Sequence, residues 1–296
     1  MTAASVADAA APSSRRVTLA TGLDAHVLAW GEDASHDHTV VLLHGFLDLA
    51  WEWAGVAAAL GRRFHVLAPD LRGHGDSAWV GAGGYYHFYD YIADVDDLIA
   101  QLGRTRVSIV GHSMGGSVAG YWAGTRPARA HRVALLEGLG PPELAADIPL
   151  RTAGWIDAWR KARREPPRPM ASLDDAAARI RRNDPGIDDA AARLLAEHGT
   201  RAVPGGLIWK HDPLHRTMGP YPFRVDVAGS FWARIVGPVL YVDGDRSLLR
   251  LSEPEVARRL ALFRDARRHT IADAGHALMR HQPAAVAATL LDFLAS

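Results

Sequence analysis

Gly111-His112-Ser113-Met114-Gly115-Gly116 sets a hydroxyl between small residues at the spacing G-x-S-x-G. It follows the buried-looking run Val107–Val110 and opens a helical stretch at Met114. That strand–turn–helix context is what gives the pattern meaning. A sharp turn from strand to helix strains its middle residue, and side chains two positions to either side would collide. Gly111 and Gly115 remove the collision, and glycine also accepts unusual dihedrals nearby. The new helix points free N–H groups and partial positive charge at the same spot. The chemistry this arrangement offers is an alcohol nucleophile at Ser113.

A serine hydroxyl needs a general base. The chain has 15 histidines, so position must choose among them. His276, in Asp273-Ala274-Gly275-His276, follows the strand-like run Arg268–Ile271 and precedes the last helix. That puts it on the sheet edge that carries Ser113. His112, beside the nucleophile, reads as structural, and His281 as helix surface. His36 and His38 flank Asp37 in an expected loop and match no metal-ligand spacing, so no metal is expected. Two carboxylates could orient the imidazole. Glu137 ends the strand after the nucleophile turn, and Asp245 lies in Gly244-Asp245-Arg246-Ser247.

The elements that must hold these groups are short apolar runs alternating with helices. The runs are Thr39–Leu43, His65–Ala68, Arg106–Val110, Arg132–Leu136 and Pro238–Val242. Apolar almost throughout, they read as strands covered on both faces. Between them lie helical stretches at Trp53–Leu60, Tyr89–Leu102, Met114–Thr125 and Glu253–Phe263, with a last helix at Pro283–Leu294. Such alternation implies right-handed crossovers and a mostly parallel sheet. Arg16–Leu19 and Ala25–Trp30 precede it as an antiparallel pair. From about Pro141 to Trp232 the alternation stops. Helical pieces at Leu150–Arg164, Leu173–Arg182 and Asp188–His198 are separated there by Pro166-Pro167, Asp184-Pro185-Gly186 and Pro204-Gly205-Gly206. The expected organisation is a disordered tail over 1–14, an α/β core over 15–140 and 233–296, and a helical cap or lid over 141–232.

Composition narrows the function classes. The 296 residues are 48% hydrophobic and 22% charged, ordinary for a globular protein. Lys+Arg and Asp+Glu are both 33, which argues against a nucleic-acid or polyanion binder. Without cysteine, disulfides, thiolate zinc sites and thiol nucleophiles are excluded. No run approaches a membrane span. The Ala-rich N-terminus lacks the basic and apolar regions of a signal peptide. A cytoplasmic protein, monomer or homodimer, with a small-molecule substrate and no cofactor, is the expectation.

With these motifs in order, the chain resembles the α/β-hydrolase superfamily. His44-Gly45-Phe46 is similar to its oxyanion loop and Pro69-Asp70-Leu71-Arg72-Gly73-His74-Gly75-Asp76-Ser77 to its hallmark turn. The terminal Gly275-His276 completes the set. Trp209–Pro213 and the stretch from Trp232 to Leu240 resemble the serine-hydrolase-like branch. The resemblance implies an α/β-hydrolase fold, with a mostly parallel central sheet flanked by helices and a helical lid. It also implies an oxyanion hole from the backbone N–H groups of Phe46 and Met114. The acid departs from the usual pattern, because the third residue after Gly244 is Ser247. Glu137 matches the acid position of the glutamate-type haloalkane dehalogenases and is preferred, with Asp245 as the alternative. Dehalogenases and epoxide hydrolases of this fold use an aspartate nucleophile, which Ser113 does not supply.

The implied function is a carboxylesterase-like serine hydrolase. It would cleave small to medium hydrophobic esters or thioesters through an acyl-enzyme on Ser113. C–C bond hydrolysis, lactone opening and cofactor-free perhydrolysis use the same groups and remain open, as does a non-catalytic ligand-binding role. Phe46, Trp51, Trp53, Trp155 and Trp159 are the expected substrate contacts, with Met114 on the same apolar wall.

Overall fold

The computed structural model describes residues 11–31, 37–143, 145–217 and 219–296. An antiparallel pair, β1 (Ser13–Thr18) and β2 (Asp24–Trp30), leads into the alternating region. There follow β3 (His38–Leu43), α1 (Ala54–Leu60), β4 (His65–Pro69), α2 (Phe88–Gln101), β5 (Arg106–His112), α3 (Met114–Thr125) and β6 (Ala130–Leu136). The intervening segment holds α4 (Ile148–Arg164), α5 (Leu173–Asn183), α6 (Asp189–Gly199), the hairpin β7 (Thr200–Val203) and β8 (Gly206–Trp209), and α7 (Val225–Trp232). The chain then returns through β9 (Val239–Gly244), α8 (Glu253–Leu260), β10 (Ala266–Ile271), the single turn α9 (Leu278–His281) and α10 (Pro283–Ala295).

The main sheet runs β1-β2-β4-β3-β5-β6-β9-β10. β2 is antiparallel to β1 and β4, and every later pairing is parallel. Alternate strand residues feed two apolar layers, as the two-residue strand period requires. Val41, Ile109, Val133 and Tyr241 pack with residues of α2, α3 and α7 on one face. Val40, Val110, Ala134 and Leu240 pack with residues of α1 and α10 on the other. The parallel strands therefore end together at one edge, where ligands of open α/β sheets bind.

The intervening segment ties down onto loops at that edge. Lys210 Nζ pairs with Asp76 Oδ2 at 2.8 Å, Asp212 N–H donates to the Gly73 carbonyl at 2.8 Å, and Tyr86 OH donates to Asp212 Oδ2 at 2.8 Å. Asp184 joins it to Arg280 and His281 after β10. Among the described residues, no helix is long and apolar enough to cross a membrane.

Four sequence expectations change here. The tail was expected to end at residue 14, but Ser13 and Ser14 belong to β1, opposite Ala29 and Leu28; residues 1–10 lie outside the described residues. His38 begins β3 instead of lying in a loop, and its Nε2 meets Ser108 Oγ at 2.7 Å; His36 lies outside the described residues. The cap boundary at 232 took in α7, yet Val225, Ala228 and Trp232 bury themselves in the layer beside α3. Pro204-Gly205-Gly206 separates no helices. It turns the β7–β8 hairpin, with Gly205 at φ 89° and Gly206 at φ 141°, conformations open to glycine.

Candidate active site

Ser113 links β5 to α3 at φ 51° and ψ −115°, well outside the usual regions for a residue with a Cβ. Its N–H donates to the Leu136 carbonyl at 2.9 Å, anchoring the turn to β6. A Cβ on Gly111 would run into the Gly115 backbone, and one on Gly115 into the carbonyl oxygens of Leu43 and His44. The sequence needs glycine at both places because backbone already fills the space. Met114 is the first residue of α3, so its N–H lacks an intrahelical partner.

The loop after β3 lies against this turn. A Cβ on Gly45 would sit 3.6 Å from Ser113 Cβ. Gly45 N–H donates to Glu52 Oε1 at 3.1 Å, and Leu47 N–H donates to His74 Nε2 at 3.3 Å. Phe46 lies between them, and among the described residues no acceptor is assigned to its N–H. Two neutral imidazoles hold the loop. His44 donates from Nδ1 to the Gly45 carbonyl at 2.8 Å and accepts Leu71 N–H on Nε2 at 2.9 Å. Burial pulls His44 down to about 4 and His74 well below the usual histidine range.

The hallmark segment is scaffold for the same loops. Asp70 accepts from Ala50 N–H at 2.7 Å and Asp76 N–H at 2.8 Å, and it contacts His26 Nδ1 at 2.7 Å. A Cβ on Gly75, at φ 49°, would strike the Asp70 carboxylate. Arg72 clamps Asp94 through two bonds of 2.5 and 2.6 Å.

His276 follows β10 and turns its Nδ1 to Glu137 Oε2 at 2.5 Å. The Glu137 side chain is 3% exposed and the His276 side chain 28%, so the carboxylate is buried while the imidazole stays partly accessible. A carboxylate accepts the Nδ1 proton, which leaves the Nε2 lone pair available as a base. Glu137 stands at φ 47° just past β6. Its Oε1 accepts Gly244 N–H at 3.1 Å, and its Oε2 also accepts the Ser247 hydroxyl at 2.7 Å. Asp245, the alternative acid, instead accepts Ala274 N–H at 3.3 Å and belongs to the turn beneath the histidine loop. His112 Nε2 donates to the His276 carbonyl at 3.0 Å, with ring centroids 4.8 Å apart, so the residue before Ser113 touches the residue that would be its base.

The expected substrate contacts divide. Phe46 is 50% exposed. Met114 and Trp159 pack onto one apolar cluster with Phe223, Val80 and Phe88. Trp155 meets Tyr85 edge-on at 5.1 Å. Trp51 stacks on His198 at 3.7 Å, beside Leu49, Ile187 and Leu195. Trp53 corrects its expectation: it is fully buried in the layer that holds α1 and α10, so it is core. His281 also corrects its expectation, because its side chain is 9% exposed and bonded to Asp184.

Four groups escaped the sequence reading. Ser247 was noted only as a missing acid, but its hydroxyl donates to Glu137. Glu52, Arg280 and His281 lie behind the site. Arg280 reaches Glu52 Oε2 at 3.2 Å and also pairs with Asp48. Burial pushes the Glu52 carboxyl well above the usual carboxylate range and pulls Arg280 down to about 10. The one sequence signal was Arg280-His281 falling within a turn of His276.

The alpha/beta hydrolase family model matches residues 40–289, and the chain belongs to that family. It is 28% identical over 240 residues to the Serine hydrolase-like protein of Danio rerio, across 80% of this chain and 67% of that protein. It is 29% identical over 321 residues to Epoxide hydrolase A of Mycobacterium tuberculosis (strain ATCC 25618 / H37Rv), across 96% and 98% of the two chains. The solved Thioesterase Domain From Curacin Biosynthetic Pathway superposes with a TM-score of 0.84 at 25% identity, covering 95% of this chain and 100% of that one. Family and relatives together support a hydrolase.

Proposed function

We propose that this hydrolase cleaves small to medium hydrophobic carboxylic esters or thioesters through an acyl-enzyme on Ser113. The observation that carries the reading is the Glu137–His276 contact of 2.5 Å beside a serine held at φ 51°. His276 Nε2 takes the Ser113 proton as Oγ attacks the carbonyl carbon. The carbonyl π pair moves onto oxygen, and the N–H groups of Phe46 and Met114 meet that charge. The intermediate collapses, the alkoxide or thiolate leaves, and His276 returns the proton to it. Water then gives a proton to His276 and attacks the acyl carbon. Ser113 departs, recovers its proton, and the carboxylic acid is released. Glu137 stays ionised throughout and stabilises the imidazolium.

The apolar surroundings of Met114 and Trp159 favour a hydrophobic acyl group. A thioesterase domain among the structural neighbours supports acyl transfer. The epoxide hydrolase relative supports hydrolysis more generally, but Ser113 lacks the carboxylate oxygen that forms an alkyl ester. A p-nitrophenyl ester series of rising acyl length, run beside diketone and lactone substrates, tests the proposal. Turnover greatest with esters supports it, and turnover confined to diketones would replace it with C–C hydrolysis.

A further inference from the structure

We propose that Asp184, on the turn between α5 and α6, positions both catalytic loops through its contacts with His281 and Arg280. This rests on the serine-hydrolase reading above. His281 Nδ1 accepts Gly275 N–H at 2.8 Å, which fixes the neutral ring's proton on Nε2. That proton goes to Asp184 Oδ1 at 2.6 Å. The ring is therefore hydrogen-bonded to the residue preceding His276 on one side and to the cap segment on the other.

Steric contacts set the same alignment. A Cβ on Gly275 would lie 2.8 Å from His281 Cε1, and one on Gly186 2.7 Å from His281 Nε2. Two glycines thus close on the ring, one from the histidine loop and one from the cap turn. The second oxygen of Asp184 faces Arg280 Nη1 at 3.5 Å. Arg280 Nη2 reaches Glu52, whose other oxygen holds Gly45 N–H at 3.1 Å. A single carboxylate outside the central sheet therefore touches two consecutive residues. One holds the loop of the base, and the other, through Glu52, holds the loop that carries Phe46.

His281 and Arg280 act here as positioning residues, since neither touches the reacting atoms. Removing Asp184 leaves the His281 Nε2 proton without its acceptor and frees the ring to change tautomer. Gly275 N–H then loses its acceptor, and His276 its fixed approach. Small misplacements of this kind cost about ten- to a hundredfold in rate.

The test is the rate at which a fluorophosphonate labels Ser113, measured on the full chain beside the melting temperature. Asp184→Ala should label at least about tenfold more slowly while remaining folded. In a His281→Leu background the same substitution should cost less than it does alone, because the His281 path is already gone and only the Arg280 path remains to lose. His281→Asn should label faster than His281→Leu, since its Oδ1 can still accept Gly275 N–H. Wild-type labelling rates in folded Asp184→Ala, or fully additive losses, would overturn the proposal. If Asp184→Ala fails to fold, the pair at 281 decides, and equal rates for Asn and Leu would overturn it. A wild-type protein that takes no label at all would instead sink the serine reading beneath it.

Discussion

Glu137→Gln perturbs one atom at the point where three donors converge. In the native side chain Oε1 accepts Gly244 N–H, and Oε2 accepts both the Ser247 hydroxyl and His276 Nδ1–H. An amide has one acceptor oxygen. If that oxygen faces His276, the NH₂ group points at Gly244 N–H and two donors oppose each other. If it faces Gly244, the NH₂ group donates to His276 Nδ1, which moves the imidazole proton to Nε2 and removes the base. The second arrangement keeps more hydrogen bonds and should dominate. Removing the charge also strips the imidazolium of its partner in a site where Glu137 is 3% exposed. A wrong-tautomer substitution of this type lowers kcat by about 10⁴. That corresponds to about 5 kcal/mol of transition-state stabilisation at about 1.4 kcal/mol per decade. Steady-state kinetics on a p-nitrophenyl ester should therefore show kcat down by about three to four decades, with KM little changed. Asp245→Asn is the matched control and should stay within about threefold, since it loses only a contact to Ala274 N–H. A Glu137→Gln enzyme that retains more than about a tenth of kcat, or an Asp245→Asn enzyme that loses more, would refute the assignment of the acid.

Ser247→Ala removes a single donor to Glu137 and should cost only about two- to tenfold in kcat, measured with the same ester. Since Ser247 Oγ lies 2.7 Å from the carboxylate that holds His276, the double variant Glu137→Gln/Ser247→Asp should regain at least about tenfold over Glu137→Gln alone; no gain would mean that position 247 cannot take over the role. Trp159→Ala, which thins the apolar cluster that Met114 also packs against, should raise KM for longer acyl chains more than for acetate, while Trp53→Ala should lower the melting temperature without changing chain-length preference. Acid should destabilise the fold before its carboxylates titrate. Burial holds His44 and His112 at about 4 against 6.5 in the unfolded chain, so protons bind the unfolded state first. The stability these histidines contribute is whole above about pH 6.5 and is lost as pH falls towards 4, by about 1.4 kcal/mol per pH unit for each. Glu52, shifted upward, works in the opposite direction but is one group against several. Urea unfolding should therefore show a clear loss between pH 6.5 and 5, and an unchanged midpoint over that range would contradict the burial argument.

The strand-to-helix bend at Ser113 was legible because its requirements are local. Gly111 and Gly115 are demanded by backbone only a few residues away or on the next strand, so their pattern survives in the linear chain. The parallel strands were legible for a similar reason, since burial on both faces leaves continuous apolar runs. Which carboxylate faces His276 depends on sheet order instead. β6 lies beside β9, and that adjacency brings Gly244 and Ser247 to Glu137 while Asp245 turns towards Ala274. Trp53 misled because an aromatic residue near a site motif carries no sign of which sheet face it will enter. The β7–β8 hairpin was hidden by its length of four residues per strand, too short for a period-two pattern to declare itself. His281 read as surface because Asp184, its partner, lies far back in the sequence.

Acid quench of the enzyme during turnover of p-nitrophenyl butyrate, followed by intact-mass and peptide mass spectrometry, tests the proposed covalent step itself. A butyryl adduct should appear on the peptide holding Ser113, accumulate when His276 is replaced by alanine after slow loading, and be absent from Ser113→Ala, whose ester turnover should fall below about 1%. An adduct mapped to another residue, or a Ser113→Ala enzyme that still turns over the ester, would contradict the account.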